Sequence, residues 1–128
     1  MACIDKEEHG RNYIFETVKN IDRMQRDIGI DQLGECISCE QSLITLAYNT
    51  IPITFYMCDG SPFSAFAGII NTPTETRVFR IESIKDKQYV ILRLIDNGEC
   101  TNFTCVLDLD CVCGIQCFQA INCTVCGD

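Results

Sequence analysis

From Gly98 to Asp128 the sequence contains no lysine or arginine, and the whole chain holds one histidine, His9. With a net charge of −8 the protein lacks the clustered cations that neutralise a phosphate backbone, so nucleic acid is excluded as a partner. Uninterrupted apolar runs extend to only a handful of residues, too short for a membrane-spanning helix, and no membrane insertion is expected. The start, Met1-Ala-Cys-Ile-Asp-Lys-Glu-Glu, is acidic and has no apolar stretch behind a basic one, so no secretory signal is expected. His9 stands in a polar segment with no fixed neighbours, which leaves a cysteine nucleophile without a base. Phosphate-binding, dinucleotide-binding and nucleophile-elbow motifs are all missing. These absences predict a protein that is not an enzyme and carries no cofactor.

Cysteine, by contrast, is plentiful: 11 residues in 128, seven of them (Cys100, Cys105, Cys111, Cys113, Cys117, Cys123 and Cys126) in the stretch without basic residues. This density in a secreted chain means disulfides, and in a cytosolic one more often metal or catalysis. The count is odd, so at least one thiol stays free or pairs with another chain. A chain of this length builds a core without staples. Synthesis in a reducing compartment followed by oxidation at the place of work reconciles these facts.

The length fits one domain, expected over residues 11–128 behind a flexible tail, 1–10, that carries Cys3. Apolar residues at Ile14, Val18, Ile21, Met24 or Gln25, and Ile28 predict an amphipathic helix over 11–28, with Asn12 as its cap and Gly29 as its stop. Such a helix covers a sheet or joins copies of the chain. Strand-like segments follow: Leu43–Tyr48, Ile53–Met57, Phe63–Ile70, Arg77–Ile84, Tyr89–Ile95 and Phe103–Cys113. Turn residues such as Asp96-Asn97-Gly98 separate them, and no long helical crossover intervenes. The expected fold is mainly β, an antiparallel sandwich or barrel-like sheet of about six to eight short strands with one N-terminal helix. Tyr89–Ile95 is apolar on both faces, which suits a central strand or a subunit contact. If Phe103–Cys113 keeps its period, Cys105, Cys111 and Cys113 share the core face with Leu107 and Leu109.

Two C-x-x-C pairs, Cys36–Cys39 and Cys123–Cys126, could close a tetrahedral zinc site, with Cys111, Cys113 or Cys117 as substitutes. The pairs are far apart in sequence, so a zinc-stabilised binding module stands as the alternative reading. Asp108 and Asp110 share a strand face; they offer two oxygens toward a hard cation, or simply keep that face wet. The remaining features favour assembly: a β-rich domain with apolar faces and surplus thiols packs against copies of itself, and disulfides then lock contacts already in register.

Three segments resemble a known family. They are Thr50-Ile-Pro-Ile-Thr-Phe-Tyr-Met-Cys-Asp-Gly-Ser-Pro-Phe-Ser-Ala-Phe-Ala67; Val78-Phe-Arg-Ile-Glu-Ser83 with Val90-Ile-Leu-Arg-Leu94; and Cys105-Val-Leu-Asp-Leu-Asp-Cys-Val-Cys-Gly-Ile-Gln-Cys-Phe118. Together they resemble the cysteine-rich outer coat and exosporium proteins of bacterial endospores, the CotY/CotZ/ExsY group. The chain departs from that group in carrying Cys123 and Cys126 beyond the usual stop. The resemblance implies a structural protein made in the mother-cell cytoplasm and deposited on the spore surface with other coat proteins. It further implies ring-shaped oligomers, a hexamer being expected, that join into a two-dimensional lattice hardened by disulfides. By the same resemblance Cys105, Cys111, Cys113 and Cys117 match the family's C-terminal cysteines. The expected links between chains are Cys3, Cys36 and Cys39, in tail or turn segments, and then Cys123 and Cys126 near the end. Cys58, Cys100, Cys105, Cys111, Cys113 and Cys117 are expected to be buried or paired within the subunit.

Overall fold

The computed structural model describes residues 8–28, 49–68 and 70–123. The first element is α1 (Glu8–Ile28), which begins earlier than the expected residue 11 and runs through Asn12 instead of being capped by it. Its inward stripe is Ile14, Val18, Ile21 and Gln25, while Met24 is 46 % exposed. A glutamine takes the last inward place because its amide satisfies two backbone groups of the sheet side. Nε2 donates to the Ile81 carbonyl at 2.9 Å, and Oε1 accepts from the Ile51 N–H at 2.9 Å.

The rest of the described chain is antiparallel β-structure. β1 (Ile53–Met57) coincides with its expected span and starts just after Pro52, whose carbonyl accepts from Phe118 N–H at 2.8 Å. The expected strand Phe63–Ile70 is cut down to β2 (Ala65–Ala67), which pairs only with β3 (Thr74–Thr76) as a separate two-stranded ribbon. Gly68 ends β2 with φ +104°, and a Cβ there would stand 3.1 Å from the Thr72 carbonyl oxygen, so the turn needs glycine. β4 (Val78–Lys85), β5 (Tyr89–Asp96) and β6 (Glu99–Asp108) form a meander. Its two turns place Asp86 and Lys87 at φ 54° and 56°, and Asn97 and Gly98 at 56° and 81°. Left-handed backbone at both central residues matches the right-handed twist of the flanking strands. β7 (Val112–Cys117) returns to lie beside β1, giving the order β6-β5-β4-β1-β7.

The fold is therefore mostly antiparallel sheet with one N-terminal helix, seven strands in two sheets among the described residues. β6 and β7 are the two edges of the larger sheet. The expected strand Leu43–Tyr48 lies outside the described residues. β5 is interior, as its two apolar faces suggest, and Val90, Leu92, Leu94 and Ile95 are all buried. Ile53, Phe55, Phe79, Ile81, Leu107 and Val112 join them and the helix stripe in the core. Phe79 sits near its middle, with ring centroids 6.5 Å from Phe55 and 5.3 Å from Phe63. Full burial of one such side chain contributes about 1.5–3 kcal/mol.

The expected strand Phe103–Cys113 is not continuous: a single 3-10 turn, Leu109–Cys111, interrupts it. The Asp108 carboxylate caps this turn by accepting from Asp110 N–H at 2.9 Å, and it also accepts from Gln88 Nε2 at 3.2 Å. The turn resets the side-chain alternation. Val112 points inward, Cys113 is exposed, and the run of cysteines on one core face does not form. Asp108 is a turn cap rather than a merely solvated acid.

Candidate functional site: the cysteine framework

The first disulfide is positioned by an irregularity in the sheet. β1 and β7 pair as Tyr56↔Gly114 and then Met57↔Val112, so Cys113 is the extra residue of a bulge. Bulging turns its side chain toward Cys58, which follows β1 and donates its N–H to the Cys111 carbonyl at 3.1 Å. Cys58 and Cys113 are disulfide-bonded with α-carbons 4.7 Å apart, across 55 residues of chain. The second bridge joins Cys100 at the start of β6 to Cys123, α-carbons 5.6 Å apart. Asn49 holds Cys123 in place: its Nδ2 donates to the Cys123 carbonyl at 2.9 Å and its Oδ1 accepts from the Cys123 N–H at 2.8 Å. Cys111 is disulfide-bonded as well.

Two described cysteines are free, Cys105 and Cys117. Cys105 lies on β6 opposite Leu92, half-buried against the core, and burial pushes its thiol up to about 11. Cys117 ends β7 opposite Ile53 and is exposed, although partial cover of its sulfur also raises its pKa. Beside it Phe118 joins Pro52, Val78, Ile95 and Ile121 in lining an apolar groove of about 340 Å³.

Two cysteines differ from their expected roles. Cys123, an expected link between chains, is buried and bonded to Cys100. Thr50 and Asn49 pair with Ile121 and Cys123 and draw that segment onto the domain. Cys117, expected to be buried or paired within the subunit, is exposed and free. Cys58, Cys100 and Cys113 are paired within the chain. Cys3, Cys36, Cys39 and Cys126 lie outside the described residues. The four-cysteine zinc set loses one member, since a sulfur already bonded to Cys100 offers no thiolate. Cys111 and Cys113 drop out as substitutes for the same reason. Among the described residues no group of histidine, cysteine or acidic side chains is arranged to hold a metal ion.

Sequence reasoning missed Asn49 and the Arg80–Glu82–Arg93 cluster on the sheet. Arg93 did carry a signal, as the one charge inside an otherwise apolar strand segment, Val90–Ile95.

Among the described residues no helix is long and apolar enough to cross a membrane, which leaves strands unaddressed. The family model described as spore coat protein Z matches residues 1–104. The match includes the first two of the segments that carry the resemblance and ends just before the third, Cys105–Phe118. No curated protein and no solved structure matches the chain.

Proposed function

The chain belongs to the spore coat protein Z family, a structural and non-catalytic family, and from that premise we propose that it self-assembles into hexameric rings and a two-dimensional, disulfide-linked lattice on the spore surface. The observation that carries this reading is the division of labour among the cysteines. Among the described residues Cys58–Cys113, Cys100–Cys123 and the bonded Cys111 are tied up in disulfides, while Cys117 keeps a free, exposed thiol. The helix from Glu8 onward and the sheet act as one unit in this proposal, and the residues before the helix bring Cys3 to a neighbour. Cys36, Cys39 and Cys126 are further links between chains. Other coat proteins anchor the layer, and oxidation after deposition sets it.

Negative-stain electron microscopy of the purified protein, before and after reductant and boiling, tests the proposal. Rings or sheets that persist when oxidised and come apart only with reductant and heat support it. Discrete small particles in every redox state overturn it. Replacing Cys3, Cys36 and Cys39 together by serine is expected to leave the oligomer intact but make it fall apart on heating. Unchanged heat resistance would remove those three from the set of links.

A further inference from the structure

Cys117 is a free, exposed thiol, and Cys113, four residues before it on β7, is the exposed end of the Cys58–Cys113 bridge. A sulfur nucleophile and a sulfur electrophile thus stand on one strand. Within one chain they do not meet: four residues of strand hold them about 13 Å apart, whereas thiol–disulfide exchange needs the sulfurs in contact. Cys105, the other free cysteine among the described residues, is farther still. It lies on β6, which three strands separate from β7, a distance of about 19 Å. A second copy of the chain brings together what one backbone keeps apart.

We infer, on the basis of the self-assembly reading, that Cys117 of one copy opens the Cys58–Cys113 bridge of a second copy and takes Cys113 as its partner. Cys113 is the sulfur attacked because the bulge leaves it exposed, while Cys58 is half-buried. The Cys117 thiol gives its proton to solvent, and the thiolate attacks Cys113 Sγ. A new S–S bond joins the copies, the bond to Cys58 breaks, and its electron pair leaves on Cys58 Sγ, which takes up a proton. One disulfide and one thiol are consumed and one of each is formed, so no oxidant is spent. One copy contributes Cys117 and the other Cys113, which makes the contact heterologous. Each copy does both, and the series closes into a ring when the rotation per copy divides a full turn.

The surroundings of the bridge suit this exchange. When it opens, the Cys100–Cys123 bridge and the bonded Cys111 are untouched, and the Cys58 N–H keeps its hydrogen bond to the Cys111 carbonyl. The freed Cys58 therefore stays beside Cys113, their α-carbons 4.7 Å apart, and attacks back whenever Cys117 of the neighbour withdraws. The link persists only where packing holds that Cys117 in place at high effective concentration. A misplaced contact thus reverts to the internal bridge, and a correct one leaves one Cys58 thiol for each link.

The test pairs ¹⁵N-labelled Cys117→Ser protein, which keeps the bridge and lacks the attacking thiol, with unlabelled parent protein. The two are mixed while dilute, concentrated under argon with no oxidant, and quenched with N-ethylmaleimide. Thermolysin, cutting before Val112, Ile115 and Phe118, separates Cys113 from Cys117 for mass spectrometry. The expected result is a labelled Cys113 fragment joined to an unlabelled Cys117 fragment, a matching amount of N-ethylmaleimide on labelled Cys58, and an unchanged total of free thiols. The labelled variant alone should show at least tenfold less modified Cys58, and its intact Cys100–Cys123 fragment reports that it is folded. Modified Cys58 in that variant alone, at the level of the mixture, would assign the attack to another thiol and overturn the inference. A Cys117–Cys117 link between parent chains, with two thiols lost for each, would overturn it in favour of oxidation. Rings by electron microscopy with Cys58 unmodified would overturn the exchange and leave self-assembly standing. Absence of any assembly would overturn both.

Discussion

Arg80 and Arg93 are paired directly across β4 and β5, and one oxygen of Glu82 lies 2.7 Å from a nitrogen of each. Opposed like charges destabilise a strand pair, so this register depends on the carboxylate between them. The bulge between Ile81 and Ser83 gives Glu82 its position. Around this centre Arg80 Nε donates to Thr50 Oγ1 at 2.8 Å, and Arg93 donates to the Thr101 carbonyl at 3.0 Å. The cluster thereby ties three strands to the segment before β1.

Glu82→Gln is expected to destabilise the fold by about 1–2 kcal/mol, less than a fully buried pair would cost because the carboxylate is in reach of solvent. Burial pushes the Glu82 carboxyl up, but the hydrogen bond from Arg93 and the charge of Arg80 outweigh it and hold it below the usual carboxylate range. A lowered native value means that this contribution is complete above the ordinary glutamate pKa of about 4.3 and is lost as pH falls through the native value. Denaturation midpoints measured from pH 7 down to pH 3 should fall more steeply for the parent than for Glu82→Gln.

Gln25→Leu tests the attachment of the helix. The apolar replacement suits the stripe formed by Ile14, Val18 and Ile21 but leaves the Ile81 carbonyl and the Ile51 N–H without their partner. Orphaning two such groups costs about 2–4 kcal/mol, more than the added apolar burial returns. Chemical denaturation should show the loss, and Gln25→Glu at pH 7 should not restore the bond to the carbonyl, because a carboxylate has no donor.

Loop length separates the contributions of the Cys58–Cys113 and Cys100–Cys123 disulfides. Closing 55 residues through Cys58–Cys113 is worth about 4 kcal/mol by chain entropy, and closing 23 through Cys100–Cys123 about 3 kcal/mol. Paired serine substitutions at each bridge, followed by thermal unfolding without reductant, should lower the midpoint in that order. The reverse order would point to residual structure in the unfolded chain rather than loop closure as the controlling factor.

The free thiols should differ in reactivity. With a pKa of about 11, Cys105 is thiolate to about one part in a thousand at pH 8, and its half-buried place on β6 slows access further. Alkylation of dilute, non-reduced protein followed by mass mapping should label Cys117 first, by tenfold or more. Raising the pH toward 10 should speed the labelling of Cys105. Equal rates at the two positions would mean that β6 opens locally on the timescale of the reaction.

Several elements were legible because they depend on short-range chemistry. The i, i+4, i+7 apolar spacing specified the helix, the Asn97-Gly98 dipeptide specified its hairpin, and β1 was bounded by Pro52 and by the turn after Met57. The apolar character of both faces of Tyr89–Ile95 told of an interior strand before any partner was known. Family resemblance, carried by ordered motifs along the chain, supplied the structural role.

The partners of the cysteines were not legible, because a disulfide joins residues that are distant in sequence and near only after folding. Composition and periodicity alone determined that this protein is a β-rich, thiol-laden unit with one N-terminal helix. Only the tertiary structure decided which of the described thiols stay free. A bulge at Cys113 and a turn at Leu109–Cys111 change side-chain direction without changing the hydrophobic pattern. Asn49 draws the last described residues back onto the domain, burying Cys123, while Cys117 stays exposed at a sheet edge. Backbone register and long-range hydrogen bonds make those choices, and neither is written in the local order of residues.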